Sequence, residues 1–521
     1  MKVCDARHMR SIDGAAVKAY GLRGLQLMEN AGRGLAEAVK KEATGLNPRV
    51  AVIAGKGSNG GDGYAAARHL KNSGFHVEVF SLARIEDLKG DALINARAWQ
   101  KMGELFFILT PAQLKKHVLA LRHSSVIVDA IFGTGLSSPV RGISCEVINL
   151  INRLGKKVVA ADVPSGVDAS TGRTLGCAVM ADVTATMALM KIGLLLYPGR
   201  SLAGRVDVVD IGVPLSLLED ERIRWNIIED ADMRRILRPR EVDAHKGAYG
   251  HLLVIAGSPG KTGAAYMSSM GAMRAGTGLV TLGIPRSLNP AMEAKTTEVM
   301  TAPLAQTAGG TLGTASYEGI RAAAADKSAL CIGPGLGKSA DIFSLLKKIM
   351  RGIRLPVVID ADGLNVLEGN LSLLKEAGGR VVITPHPGEA ARLLGSSAAD
   401  VQADRLGAAE RLAQKSGAIV ALKGASTVVA APDRRVWINP TGNAGLSTAG
   451  TGDVLSGMIG GLLAAGYPPL DAAIAAVYMH GLAADELKKN GIEAGMMATD
   501  LLPVIPRILN FFIARSDGRQ G

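Results

Sequence analysis

Short apolar runs that each break off into a turn bearing glycine, aspartate, serine or proline constrain this chain more than any other feature. The first complete case is RVAVIAGKGSNGGDGYAAARHLKNSGFHVEVF, Arg49 to Phe80. An apolar run, a glycine loop, a helix-like stretch and a second alternating run, in that order, make a βαβ unit. SSVIVDAIFGTG, KKVVAADVPSG, ADVTATMALM and GRVDVVDIGVP follow in the same half. HLLVIAGSPG opens a second series near His251, continued by ALCIGPG, PVVIDADG, RVVITPHPGE, AIVALKGASTVVA and RVWINPTG. An alanine-rich helical stretch then runs past Asp471. Strands alternating with helices predict mostly parallel sheets with helices on both faces, and ligands gathered beyond the carboxyl ends of the strands.

At 521 residues the chain has room for two large α/β domains or for three of about 150 residues. Glu219 to Lys246 is dense in charge and lacks strand-like runs, which places a linker at 219–245. The two halves are not obvious repeats of each other. Glycine, at 64 residues, exceeds its usual share of about 7% without any Gly-x-y period, which fits tight turns where backbone approaches a ligand. The net charge is +12, yet the basic residues are dispersed and aromatics are only 4%. Such a surface lacks the stacking platforms of a single-strand binder and suits an enzyme with small anionic substrates, so no nucleic-acid partner is expected. Cys4, Cys145, Cys177 and Cys331 are far apart in sequence and show no metal-ligand spacing, the pattern of reduced thiols in a cytosolic protein. The first ten residues carry Asp5 and no apolar h-region, and no run reaches the ~18 apolar residues of a membrane span. A cytoplasmic enzyme with no membrane partner is the expectation.

In the first half, Gly55, Gly57 and Gly60 satisfy G-x-G-x-x-G after a strand, with Glu78 near the end of the next one. Alone this is a weak dinucleotide signature. Asn59 and Asp62 inside the loop add side-chain polarity that a plain pyrophosphate cradle does not need. Asp129 and Asp162 each end an apolar run; if those strands are neighbours, they converge with Asn59 at one sheet edge. Such an oxygen-rich cluster suits a hard cation or general acid/base work, against the plainer reading of each Asp as a turn cap. Lys191, after ATMALM, lies either near the same sheet edge or, the favoured reading, at the surface as a snorkelling lysine.

In the second half, GSPGKTG imitates a phosphate-binding Walker loop, but Ile255 stands where that pattern needs glycine. The stronger signal is GNAGLSTAGTGDVLSG, Gly442 to Gly457, where small residues precede an apolar helix. Free N–H groups at such a helix start form an anion hole for a phosphoryl group in transfer. Asp453, in the first turn, is placed to accept a proton from an attacking hydroxyl. His386 lies on the proline-stiffened loop TPHPGE, and Lys423 ends the strand before GAST, in reach of nucleotide phosphates or simply on the surface.

LMENAG, AGKGSNGGDG, VDAIFGTGL and DVPSGVD, spread over roughly residues 1–218, resemble the NAD(P)H-hydrate epimerase domain. That resemblance implies a Rossmann-like three-layer αβα sandwich, an isomerase that interconverts R- and S-NAD(P)HX. It implies potassium held by Asn59, Asp129 and Ser165, and a substrate lined by Ser58, Asn59, Gly60, Gly61 and Asp62 and by Gly133, Thr134, Gly135, Leu136, Ser137, Ser138 and Pro139. Asp162 would be the catalytic acid/base and would also contact the substrate; Ser58 departs from the family's usual second Asn. HKGAYGHLLVIAGS, RAGTGLVT, CIGPGLG, DADGLN, TPHPGE, LKGAST and AGTGD, over roughly residues 226–515, resemble the NAD(P)H-hydrate dehydratase domain. This implies a ribokinase-like α/β domain, a lyase consuming ADP (ATP being the alternative) with Mg2+. Ala264, Gly335, His386 and the catalytic Asp453 would contact the hydrate, and Lys423, Gly424, Ala425, Ser426, Thr427 and Gly452 the nucleotide. His386 stands where related vitamin kinases carry Asn, which favours the dehydratase, and Gly363 replaces a more usual alanine. The expected function is thus two-step repair of hydrated nicotinamide cofactors, NADHX and NADPHX, by a homo-oligomeric enzyme. The alternative is a vitamin-alcohol kinase of the ribokinase family with a non-catalytic N-terminal binding module.

Overall fold

The computed structural model describes residues 1–45 and 47–516. The chain divides into two compact units, the first spanning Lys2–Trp225 and the second running from Asn226 onward together with Met1.

The first unit is built on a seven-stranded sheet. Across it lie Leu105–Phe107, His76–Ser81, Arg49–Ala54, Val126–Ala130, Lys157–Ala161, Val183–Met187 and Arg205–Val209, all parallel. Because successive side chains alternate in direction, one strand feeds two cores. Val50, Val52 and Ala54 point to a cluster with Leu35, Val39, Tyr64 and Leu70 from the helices Gly24–Glu42 and Ser58–Asn72. Ala51 and Ile53 point the other way, to Leu114, Leu121, Ile148 and Ile151 from the helices Pro111–His123 and Gly142–Leu154. The result is three layers, helix, sheet and helix. A separate parallel pair sets Val3–Cys4 beside Met190–Lys191, with Cys4 opposite Lys191.

The glycines of G-x-G-x-x-G have distinct causes. A Cβ at Gly60 would lie 1.9 Å from the Gly55 carbonyl oxygen, so the helix Ser58–Asn72 can start so close to its loop only without one. At Gly57 the same test meets open space.

The second unit carries a ten-stranded sheet. Its parallel part runs Val381–Ile383, Val357–Ile359, Ala329–Ile332, His251–Ile255, Leu279–Pro285 and Met300–Leu304. Ile419–Leu422 joins it in parallel, and Val428–Ala430 and Val436–Ile438 extend it by antiparallel hairpins to the edge strand Trp225–Ile227. One face of the sheet, with Leu252, Val254, Leu282, Cys331, Val358 and Val382, packs on the helices Thr451–Ala464 and Pro469–Lys489.

Two expectations need correction. The stretch 219–245 is not free of regular structure, because it holds the strand Trp225–Ile227 and the helix Asp230–Ile236. A three-residue edge strand carries too short an apolar run to be visible, and the helix buries only Met233 and Ile236 beneath a charged outer face. Nor are all thiols free: Cys145, on the helix Gly142–Leu154, and Cys177 come together as a disulfide with a Cα–Cα distance of 5.9 Å. Cys4 and Cys331 are buried free thiols. Among the described residues no helix is long and apolar enough to cross a membrane.

The helix Thr451–Ala464 meets the helix Thr262–Arg274 at backbone distance. A Cβ at Gly457 would stand 1.9 Å from the Ser268 carbonyl oxygen. Gly457→Ala is therefore expected to push these helices apart and destabilise the second unit by roughly 1–3 kcal/mol, measured as a lower midpoint in chemical unfolding.

Candidate active sites

In the first unit the neighbours Arg49–Ala54, Val126–Ala130 and Lys157–Ala161 deliver Asn59, Asp129 and Asp162 to one sheet edge, as the strand order requires. Asp129 is fully buried. Its Oδ1 accepts from the Ser165 hydroxyl at 2.6 Å and its Oδ2 from the Ser165 N–H at 2.7 Å. Burial nevertheless pushes its carboxyl up to about 6, against the lowering effect of those bonds. Asn59, in the first turn of the helix Ser58–Asn72, is buried with both its amide nitrogen and its amide oxygen unpaired. Leaving two such groups unmade costs on the order of 2 kcal/mol or more, so their arrangement points to a ligand. A Cβ at Gly133 would lie 2.9 Å from Asn59 Oδ1 and 3.3 Å from Asp162 Oδ2, which puts the start of the 133–139 loop over both.

Asp162 adopts φ +64°, a left-handed conformation rare outside glycine. Its Oδ1 lies 2.5 Å from Lys191 Nζ and accepts from the Met187 N–H at 3.2 Å. Lys191 is thus not a surface lysine: it is completely buried, beside the strand Val3–Cys4. Sequence reasoning missed it because the pairing of residue 4 with residue 191 has no local signature. Asp13 was also missed. Burial pushes its carboxyl up to about 6, with Lys191 opposing and Asp162 adding to the rise. Asp62 is held well above the carboxylate range by burial first, then by Asp162 and Asp13.

Around this core the expected substrate residues divide. Asn59, Asp62, Gly133 and Asp162 come together. Gly60 and Gly61 turn their Cβ positions toward Gly55 and Met28, so only their backbone is free for a ligand. Ser58, Gly135, Ser137, Ser138 and Pro139 are exposed, and Thr134 and Leu136 are half-buried.

In the second unit the helix Thr451–Ala464 begins at Gly450, φ +93°, and places Asp453 in its first turn. Burial pushes the Asp453 carboxyl up to about 7, with Asp360 and Asp362 adding to the rise and Lys423 opposing. Lys423 is not a surface lysine either. Its Nζ is 2.7 Å from Asp360 Oδ1 and 3.2 Å from where a Gly452 Cβ would be, directly at the helix start. Asp360, almost fully buried, also accepts a short hydrogen bond from the Ser456 hydroxyl. It went unnoticed although it ends an apolar run as Asp129 and Asp162 do.

His386 caps the helix Pro387–Leu394. Its Nδ1 accepts from the N–H groups of Gly388 and Glu389 at 3.0 and 3.3 Å, so the proton sits on Nε2, 3.4 Å from Glu389 Oε1. Burial, then Lys423 and Arg392, lower its basicity, which keeps the ring neutral near pH 7. Glu389 is pushed up to about 7 by burial. A Cβ at Gly335, where φ is +67°, would lie 3.2 Å from the Ala264 Cβ, which makes those two predicted residues neighbours. The predicted run from Lys423 splits: Lys423 faces Asp360 and Gly452, whereas Gly424, Ala425, Ser426 and Thr427 form the turn between two antiparallel strands, with Ser426 buried. His480, also unforeseen, is buried with Nε2 3.0 Å from the Thr451 carbonyl, and burial lowers it to about 4.

Two parallel α/β units, each gathering strand-end carboxylates beside a glycine-rich helix start, define a two-module α/β enzyme. Comparison with known proteins narrows the class. Residues 252–507 match the family described as NAD(P)H-hydrate dehydratase, and residues 24–193 the family described as YjeF-related protein N-terminus. The bifunctional NAD(P)H-hydrate repair enzyme Nnr of Moorella thermoacetica is 43% identical over 98% of this chain and 97% of its own length. The enzyme of the same name from Thermofilum pendens is 38% identical over 98% and 96%. A crystal structure of the ADP/ATP-dependent NAD(P)H-hydrate dehydratase from Bacillus subtilis, co-crystallised with ATP/Mg2+, is 30% identical with a TM-score of 0.47, covering 55% of this chain and 98% of that one. The chain belongs to the family of bifunctional NAD(P)H-hydrate repair enzymes. The expected Rossmann-like and ribokinase-like domains hold, and the family sets aside the vitamin-kinase alternative.

Lys423→Met strands the buried Asp360 charge. We expect a loss of about 3 kcal/mol in chemical unfolding of the second unit, most of it recovered when Asp360→Asn is added.

Proposed function

We propose that the first unit interconverts the R and S epimers of NADHX and NADPHX, and that the second dehydrates the S epimer to NAD(P)H with ADP as co-substrate. The observation that carries this reading is the kinship to repair enzymes along nearly the whole chain, together with a buried carboxylate, Asp162, in the first unit and a half-buried one, Asp453, in the second. In the first site Asp162 takes the proton of the ring hydroxyl as the bond from that carbon to the ring nitrogen breaks. Its electron pair goes to nitrogen and the carbon becomes a carbonyl; closure on the other face returns the proton and inverts the centre. Ser58 to Asp62 and Gly133 to Pro139 would line the hydrate.

Asn59, Asp129 and Ser165 fit a potassium ion. An unpaired buried amide oxygen, a desolvated carboxylate and a hydroxyl are the hard oxygen donors such a cation takes. Potassium, when bound, supplies fixed positive charge beside Asp129 and a partner for the Asn59 carbonyl. Replacing potassium by tetramethylammonium is expected to slow R/S exchange, and Asn59→Ala to remove that dependence along with most activity, both read by chromatography of the epimers.

In the second site Asp453 accepts the proton of the hydrate's hydroxyl as its oxygen attacks the terminal phosphorus of MgADP and AMP leaves. The anion hole at Gly452 and the Lys423 ammonium stabilise the transferring group. Phosphate then departs from the ring, pushed by the ring nitrogen's electron pair, and loss of a proton from the adjacent carbon restores the dihydropyridine. Ala264, Gly335 and His386 would hold the hydrate, and the turn Gly424 to Thr427 the nucleotide.

The base works ionised, and burial keeps Asp453 protonated below about 7. The dehydration rate should therefore rise with pH through about 7, and Asp453→Asn should lower it by at least about 100-fold while leaving epimerisation intact. Absorbance at 340 nm after adding MgADP to both epimers of NADHX reads the activity. Full-rate dehydration by Asp453→Asn would overturn the mechanism.

A further inference from the structure

The ammonium of Lys191 has three N–H donors. Three acceptors surround it: Asp162 Oδ1 at 2.5 Å, the Met187 carbonyl oxygen at 2.6 Å and Thr186 Oγ1 at 3.2 Å. None is left for a substrate, and the side chain is completely buried. The carboxylate it meets is equally asymmetric. Asp162 Oδ1 also accepts from the Met187 N–H at 3.2 Å and from the Thr186 hydroxyl at 3.4 Å. Asp162 Oδ2 instead lies 3.3 Å from where a Gly133 Cβ would be, a position that is also 2.9 Å from the unpaired Asn59 Oδ1. The backbone at Asp162 is in the left-handed region, anchored by its N–H donating to the Ala185 carbonyl at 2.8 Å. A side chain launched from so costly a conformation needs a fixed partner to hold one orientation.

We propose that Lys191, with Thr186 as its bridge, is the positioning residue of the first site: it saturates one oxygen of Asp162 and so presents the other to the hydrate. This rests on the reading of Asp162 as the acid/base group. Lys191 touches no reacting atom and acts through Asp162 alone. Its strand, Met190–Lys191, pairs in parallel with Val3–Cys4, which sets Cys4 beside Lys191.

The test compares Lys191→Met, Thr186→Val, Asp162→Ala and the double variant Lys191→Met with Asp162→Ala in the full chain, measuring kcat and KM for R/S exchange of NADHX. Lys191→Met is expected to lower kcat on the order of 100-fold with KM nearly unchanged, because misplacing the group costs turnover rather than binding. Thr186→Val should lower kcat in the same direction. In the Asp162→Ala background Lys191→Met should add no further loss. Wild-type kcat in Lys191→Met, or a loss in the double variant equal to the product of the single ones, would overturn the proposal. If circular dichroism shows Lys191→Met unfolded, Thr186→Val decides, and wild-type kcat there would overturn it. Wild-type exchange by Asp162→Ala would instead bring down the acid/base reading itself, an outcome that no Lys191 variant can imitate.

Discussion

Each unit hides an aspartate just beyond the end of a parallel strand and pairs it with a buried lysine: Asp162 with Lys191, and Asp360 with Lys423. An isolated carboxylate in such a place would cost several kcal/mol, so the lysine is a condition of the fold rather than an ornament. The pairing also has a consequence for the neighbours. One ammonium can satisfy one carboxylate at contact distance, yet Asp13 and Asp62 in the first unit, and Asp453 and Glu389 in the second, share the same enclosed space. Desolvated and only partly compensated, these groups are held above the usual carboxylate range. Burial thus raises these carboxyls and the paired lysine only moderates the rise, which leaves groups able to exchange a proton near neutral pH.

The two sites use this field differently because their helix starts differ. In the first unit the helix after Arg49–Ala54 presents a side chain, the unpaired Asn59 amide, over a carboxylate with a hydroxyl partner. That arrangement offers oxygen donors of the kind a hard cation takes. In the second, Gly450 and Gly452 leave the helix start bare, and Lys423 stands beside it. Bare N–H groups and an ammonium receive an anion, and Asp453 then has a proton to collect from whatever attacks it. One sheet architecture therefore serves both an isomerase and a lyase, and the two units differ in a few residues at each helix start.

The strands and the glycine loops were legible because each is a local pattern. So was the delivery of Asn59, Asp129 and Asp162 to one end of the sheet, since loops at the ends of adjacent parallel strands must face one another. What could not be read is what depends on distant pairing. Lys191 was favoured as exposed because nothing near it in sequence shows that Val3–Cys4 pairs beside it. Asp13 sits on a helix that buries Met9, Ile12 and Ala16, where nothing local shows its nearness to Lys191, and His480 on a long helix where a buried imidazole has no distinguishing neighbours. Asp360 is the instructive omission, since its local signal was the same as that of Asp129. The strand Trp225–Ile227 was lost for a different reason: an edge strand needs no long apolar run.

All the residues assigned to the first site lie within Lys2–Trp225, and all those of the second beyond Asn226. No residue is shared, so the two reactions are tied by their common substrate. A dehydratase that accepts one epimer leaves the other behind, and the reaction that returns it to the usable form must keep pace. Joining both modules in one chain fixes them at equal concentration whatever the level of expression. The pull of an effectively irreversible dehydration then draws the reversible first reaction forward by mass action, which asks for no conformational signal between the sites.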